Sequence, residues 1–455
     1  MARKVPDRCP DAPKRAFEAS RKWTGRIYSI SLVTPLFGGG PIPGENDPVT
    51  LIRGSSIRGH LRFWWRATRG ASFESVESLR RREGEIWGTA ESPSPVMLLV
   101  SELTKGEAGP WAKYEADPKG GGVRSIPTPV NSSYPSYALF PFQGKAEKAR
   151  EIRKVTEYPA TVTTGVSFKL TLQWPADMDI AKDIEASVWA WVNFGGLGAR
   201  TRRGCGSLFC KELAPTAEDT RALQQWYARH LEQYGIQTSQ AVRPWPTLPE
   251  QPLVRSNQAG GPLLNSVKAW SKSINILQQF RQGLGVGRNR KEDEKPGRSF
   301  WPEADSLRRV TKQKDPGHAE SITTSENAFP RAEFGLPIVF HFKNEPPRGS
   351  KGVSGRDPAD GRLLPTGDTE RMASPLILKA LAVGPNQAIP MILQLKTQLP
   401  DGVIVEFDGR AQRFGSDKIR RPDLSSYPHS PMSGRSPNGS ALEAFIEFAR
   451  QEGFR

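Results

Sequence analysis

Two clusters of basic and small residues carry the chemistry legible in this sequence. The first is Arg53-Gly-Ser-Ser-Ile-Arg-Gly-His-Leu-Arg-Phe-Trp-Trp-Arg-Ala-Thr-Arg-Gly70, which holds five arginines and no acidic residue. At about 100° per residue, Ile57, Leu61, Trp64, Trp65 and Thr68 share one face of a helix, and Arg58, Arg62, Arg66 and Arg69 form a stripe beside it. Neighbouring like charges on such a stripe repel, and nothing within the segment relieves them, so a polyanion is the expected partner. Ser55 or Ser56 is expected to cap the helix, whose free N–H groups could take one phosphate, and Gly70 to end it in a left-handed conformation.

The second cluster is Gly195-Gly-Leu-Gly-Ala-Arg-Thr-Arg-Arg-Gly-Cys-Gly206. Gly195, Gly196, Gly198, Gly204 and Gly206 permit close backbone approach, and Arg200, Arg202 and Arg203 add guanidinium forks that match phosphate oxygens. No Gly-Lys-Ser/Thr closes the loop and it follows a helix instead of opening one, so it is not a nucleotide-hydrolysing phosphate loop. A histidine is the residue type best suited to act as a general acid or base near neutral pH. His60, however, projects about 160° from the arginine stripe on the helical wheel, and His341 and His429 have no recognisable partner in sequence. Paired carboxylates near the stripe are missing as well.

The elements that position these clusters alternate between strand and helix. Trp23–Val33 reads as a strand, the arginine-bearing helix runs from about Ser56, and Glu74–Trp87 is a further helical segment. Val96–Leu103 and Thr161–Trp174 read as strands, Asp179–Phe194 as a second main helix, and 205–213 as a returning strand. Strand, helix, strands, helix, glycine-rich loop and strand is the βαββαβ order of ferredoxin-like and RRM units.

Thr220–Tyr234 reads as a helix, and residues 241–252 as a stiff proline-rich linker between domains. Beyond it, Pro262–Arg281 and Ser440–Arg450 have helical spacing, and Gly335–Phe342, Ser374–Val383, Pro390–Lys396 and Val403–Phe407 are strand-like. Segments 104–136, 283–313 and 344–370 read as long loops, and residues 1–22 as a flexible basic arm.

Three motifs in order, Thr34-Pro-Leu-Phe-Gly-Gly-Gly40, the Arg53–Gly70 segment and the Gly195–Gly206 loop, resemble the RAMP superfamily of CRISPR-associated proteins. Within it they are most similar to the double-RAMP subunits of type III-B Cmr effector complexes. The resemblance is specific over 23–213; later it rests on Ser299-Phe-Trp-Pro302, Phe329-Pro-Arg-Ala-Glu-Phe-Gly-Leu-Pro337 and Ser374-Pro-Leu-Ile-Leu-Lys379. It implies an α+β chain of two ferredoxin-like RAMP units in tandem, at 23–240 and 253–455, the second more decorated.

It also implies an RNA-binding structural subunit in antiviral defence, non-catalytic by itself. Its partners would be guide crRNA, target RNA and other Cmr subunits, with the 3′ part of the guide and the matching target segment held here. Arg58, Arg62, Arg66, Arg200, Arg202 and Arg203, with Arg53 beside them, would hold phosphates; Ser55, Gly195, Gly196, Gly198 and Gly204 would allow backbone approach. The alternative from the same superfamily is a metal-independent endoribonuclease that processes CRISPR repeats. Target cleavage and cyclic oligoadenylate synthesis belong, by the same resemblance, to other subunits, and no Gly-Gly-Asp-Asp run is present.

Composition is compatible with such partners. Sixty-four Lys and Arg against 48 Asp and Glu leave a formal net charge of +16, which favours nucleic acid or an acidic surface through the field of the whole protein. Three cysteines without a Cys-x-x-Cys pair and five scattered histidines give a metal little to bind, so neither metal nor cofactor is expected. With no signal-like start and no apolar run near ~20 residues, a cytoplasmic protein with no membrane partner is expected.

Overall fold

In the computed structural model the described residues are 22–40, 45–149, 151–216, 219–238, 241–255, 263–282, 300–313, 326–342, 357–358, 360–367, 369–427 and 430–455. The expected arm, save residue 22, and His429 lie outside them, as do most of the expected loops at 283–313 and 344–370.

β1 (Trp23–Leu32) buries Tyr28, Ile30 and Leu32 by simple alternation. After β2 (Leu36–Phe37) comes α1 (Gly54–Arg69), which buries the face read from its spacing: Ile57, Leu61, Trp64, Trp65 and Thr68. Its ends differ from expectation. Arg53 is the extended N-cap residue, no side chain caps the helix, and Ser55 lies exposed in the first turn. Gly70 stays right-handed, with φ −59°, and leads into a 3-10 turn. Its glycine serves packing instead: a Cβ there would sit 2.6 Å from the Trp245 ring.

α2 (Val76–Trp87) starts at Ser75, whose hydroxyl accepts from the Ser78 N–H, and β3 (Met97–Thr104) follows. Residues 104–136 are not a single loop. They contain β4 (Glu107–Pro110), β5 (Ala112–Lys113) and β6 (Thr128–Pro129), ahead of α3 (Ser136–Leu139), β7 (Lys145–Ala149) and β8 (Ile152–Glu157).

The expected strand 161–174 is two strands, β9 (Thr161–Thr164) and β10 (Ser167–Pro175), parted at Gly165 with φ +74°. β4 and β2 pair with opposite edges of β9, joining segments that share no local pattern. α4 (Ala181–Phe194), a short β11 (Leu208–Phe209) and α5 (Thr220–Gln233), capped by Asp219, complete this half. The main sheet has the order β11-β1-β10-β3, antiparallel throughout. α1 connects β1 towards β3 and α4 connects β10 to β11, and the two helices pack together.

The second half opens with β12 (Leu253–Val254), β13 (Leu264–Asn265) and α6 (Ser266–Gln282). α7 (Glu303–Thr311), a helix within the expected loop 283–313, precedes β14 (Ile338–Phe340) and β15 (Gly361–Pro365), the latter within the expected loop 344–370. β16 (Leu376–Gly384), β17 (Gln387–Gln394), β18 (Gly402–Phe407), β19 (Arg410–Gly415) and α8 (Ala441–Gln451) follow. β17 pairs with β16 on one side and with β12 and β13 on the other, and the backbones of Val254 and Arg455 exchange hydrogen bonds of 3.0 and 2.9 Å. A separate sheet, β14-β15-β18-β19, sits on its own small core of Leu307, Phe329, Leu363, Val403 and Val405.

The segment expected as a linker is folded in between the halves. Trp245 Nε1 donates to the Gly70 carbonyl at 3.0 Å, and Thr247 and Lys396 pair through their backbones. Ile377, Leu381, Met391 and Leu393 of β16 and β17 join Trp64, Leu170 and Trp189 in one continuous apolar core.

Candidate nucleic-acid interface

The α1 arginines find the acidic partners their own segment lacks. Arg62 Nε and Arg66 Nη1 both lie 2.6 Å from Glu83 Oε1 on α2, and Arg62 also reaches the Gly88 carbonyl at 3.3 Å. Arg69 pairs with Asp183 of α4 at 2.9 Å and donates to the carbonyls of Lys182 and Tyr234. Arg53 forms a two-pronged pair with Asp47 at 2.6 and 3.1 Å. Arg58 donates to the Val96 carbonyl at 3.0 Å, while its Nη1 is buried without a partner among the described residues. The premise that only a polyanion relieves this stripe is therefore corrected: charges distant in sequence brace α1 against α2 and α4. Arg62 and Arg66 remain about one third exposed and share one carboxylate, so the stripe keeps an excess of positive charge.

The glycine-rich loop leaves α4, packs against the second half and returns to β11 of the first. Several of its N–H groups are already taken: Leu197 donates to Gly206, Ala199 to Phe37 and Gly206 to Pro35. Gly196 and Gly198 pack backbone to backbone: a Cβ at Gly196 would come within 2.8 Å of the Gly206 carbonyl, and one at Gly198 within 2.5 Å of the Phe37 carbonyl. Gly204, with φ +80°, lies against Trp270 of α6, whose Nε1 donates to the Arg203 carbonyl at 2.5 Å. These glycines seat the loop in the fold.

The loop's arginines point to different surroundings. Arg202 donates to the Ser374 carbonyl and lays its guanidinium over the Phe63 ring, 5.3 Å from the centroid. Arg203 donates to the Leu376 carbonyl at 2.8 Å; burial, with Arg200 and Arg281 as charged neighbours, pushes its pKa down to about 9. Burial also lowers Arg200, whose Nε has no partner among the described residues. No carboxylate pairs with any of these three arginines among the described residues.

Sequence reasoning missed Lys379, the one charged residue in the apolar run Leu376–Gly384. It is fully buried, donates to the Gly195 carbonyl at 2.7 Å, and burial pushes its pKa down to about 7. A lone lysine in an apolar strand was a readable signal; its partner on the loop was not.

His60 lies off the α1 stripe as expected but shares a cavity with Arg202 of the loop, so it does not face away from every candidate phosphate ligand. Burial lowers its pKa. His341, expected to lack a partner, pairs with Asp360 at 2.7 Å, both side chains being exposed. Cys205 and Cys210 are buried free thiols pushed up to about 12 by burial. Among the described residues no group of three His, Cys, Asp or Glu side chains could hold a metal, and no helix is long and apolar enough to cross a membrane.

Residues 29–209 match the family model described as the RAMP superfamily. The chain is 30% identical over 189 residues to CRISPR system Cmr subunit Cmr1-2 of Pyrococcus furiosus, an alignment covering 40% of this chain and 92% of that one. It is 25% identical over 158 residues to Cmr1-1 of the same organism, covering 34% and 40%.

Among solved structures, the apo crystal structure of Cmr1 from Pyrococcus furiosus superposes with a TM-score of 0.41 at 14% identity, over 82% of this chain and 89% of that one. A chain of the type III-B Cmr-beta complex bound to cognate target RNA and AMPPnP gives 0.45 at 13%, over 93% and 98%. The chain belongs to the RAMP superfamily, as a relative of the Cmr1 subunits.

Proposed function

We propose that this chain is an RNA-binding structural subunit of a type III-B Cmr effector complex, acting in antiviral defence and without catalytic activity of its own. The observation that carries the reading is the Gly195–Gly206 loop, which brings Arg200, Arg202 and Arg203 to the junction of the two halves with no carboxylate among the described residues paired to any of them. Desolvated, unneutralised guanidiniums favour an anion, and the relatives named above are Cmr subunits. The partners are guide crRNA, target RNA and neighbouring Cmr subunits in the cytoplasm; the 3′ part of the guide and the matching target segment are held here.

Both halves support a tandem ferredoxin-like reading. The order β11-β1-β10-β3 with α1 and α4 as crossovers is that of a βαββαβ unit. In the second half the C-terminal Arg455, β12, β17 and β16 follow the same order, with α6 and α8 as crossovers and β14, β15, β18 and β19 as decoration.

Recognition is of backbone and shape, because the guide sequence varies while the protein does not. Incubating the purified chain with end-labelled CRISPR repeat–spacer RNA in EDTA, across a salt series, tests this. Salt-dependent binding of intact RNA is expected. Exchanging Arg200, Arg202 and Arg203 for Gln lowers the slope of log K against log salt by about two units; an unchanged slope in a folded variant removes the loop from the contact surface. Specific scission would favour the repeat-processing endoribonuclease instead.

A further inference from the structure

The main antiparallel sheet of the first half has one covered face and one open one. Tyr28, Ile30, Leu170 and Leu172 belong to the core shared with Leu61 of α1 and Trp191 of α4. The alternate residues face away from it, where an antiparallel sheet ordinarily carries polar side chains. Here Ile27 is 65% exposed, Leu99 60%, Met97 47% and Trp23, at the corner, 45%. The strand register sets Ile27, Thr171 and Leu99 in one row across β1, β10 and β3, and Gly25, Gln173 and Met97 in the next. The exposed apolar side chains therefore form one patch instead of scattered single residues, and such a patch marks an interaction site.

The patch carries no charge. In the row beyond Ile27, Ser29, Lys169 and Ser101 lie side by side, and Lys169 is neutralised by Glu102 at 2.7 Å. RNA calls for cations at its phosphates and aromatic rings at its bases; the centre of this face has neither. A second copy of the chain is disfavoured as well, because two molecules of net charge +16 repel each other.

β3 adds a free edge. It ends the strand order β11-β1-β10-β3 and pairs with β10 alone among the described residues. Long edge strands are usually guarded by charge, as β19 is by Arg410 and Arg413 at the end of the other sheet. In β3 the one charged residue is Glu102, and it is paired with Lys169. A protein partner can cover such a surface by packing on the face or by adding a strand at the edge.

We infer that this face and the β3 edge dock a neighbouring protein subunit of the effector complex, one of neutral or acidic net charge that presents apolar side chains to Ile27, Met97 and Leu99. The inference rests on the subunit reading and deepens it: α1 with its arginines lies on one side of the sheet and the protein contact on the other.

The test uses the full chain, alone and assembled with the other Cmr subunits of its own system and a guide RNA. Hydroxyl-radical footprinting read by mass spectrometry is expected to oxidise Ile27, Met97 and Leu99 in the isolated chain, and that oxidation is expected to be lost in the complex. Ile27→Asn combined with Leu99→Asn keeps the net charge and alters exposed positions only. It is expected to lower incorporation into the complex about tenfold, because polar groups are left unpaired at the centre of the interface. The salt slope of RNA binding by the isolated variant is expected to stay that of the parent. The footprint needs no substitution, so it decides the matter if the variant does not fold.

Oxidation that persists in the complex, or a folded variant incorporated as well as the parent, overturns this inference and leaves the subunit reading standing. Protection already present in the isolated chain, with sedimentation as a dimer, overturns it in favour of a second copy, and protection by guide RNA alone overturns it in favour of RNA. A parent chain that does not enter the complex overturns both.

Discussion

Single charges at this junction act through what surrounds them, and two can be isolated by substitution. Glu83 is 4% exposed and holds both Arg62 and Arg66. Removing a buried partner of two cations is costly, but solvent screens the arginines, so Glu83→Gln is expected to lower stability by about 1–3 kcal/mol in urea titrations. The same variant frees both guanidiniums; if they reach RNA, the salt slope steepens by about 0.7 per arginine released. An unchanged slope makes them braces for α2.

Lys379 gives a pH signature. Its folded pKa, about 7, lies below that of an exposed lysine because burial disfavours the charged form. Between about pH 7 and 10 the unfolded chain holds a proton there that the native chain does not, so this group adds stability as pH rises through that window. The difference in Tm between the parent and Lys379→Met is expected to change in favour of the parent from pH 7 to 10, then to level off. A difference independent of pH would mean the lysine is charged in the fold.

At the scale of elements, the glycine-rich loop is a packing joint, whatever it binds. Gly204→Ala combines a left-handed backbone at φ +80° with a Cβ 2.5 Å from the Trp270 ring. Strain and overpacking together are expected to cost about 2–5 kcal/mol in thermal or urea unfolding; a change below 1 kcal/mol would mean the α6 contact yields. That role was invisible in sequence, because Gly204 is made necessary by a tryptophan from the other half.

The α1 face, by contrast, was legible, since Ile57, Leu61, Trp64, Trp65 and Thr68 follow from period alone. What the α1 arginines touch was not, as Glu83, Asp183 and Asp47 come from three other segments. Strands β4, β5 and β6 escaped for a similar reason. β5 and β6 have two residues each, and the four-residue β4 pairs across fifty or more positions with β9.

The whole molecule folds around a core that ignores the expected boundary at 241–252. Ile377, Leu381, Met391 and Leu393 pack with Trp64, Leu170 and Trp189, and Trp245 closes over Gly70. Each half cut free would expose this apolar surface, at a cost of about 25 cal/mol per Å² of apolar area returned to water. The halves are therefore expected to unfold together: scanning calorimetry of the full chain should give one main transition, and residues 22–252 expressed alone should aggregate or melt well below it. Two well-separated transitions, with the isolated first half melting as it does in the full chain, would show that the junction contributes little to stability. Coupled unfolding has a consequence for RNA. Arg202 and Arg203, on a loop of the first half, donate to the Ser374 and Leu376 carbonyls of the second, so RNA held there, as proposed, would favour the state in which the halves are docked. Saturating RNA is then expected to raise the single transition, by an amount that shrinks with added salt as the phosphate contacts weaken.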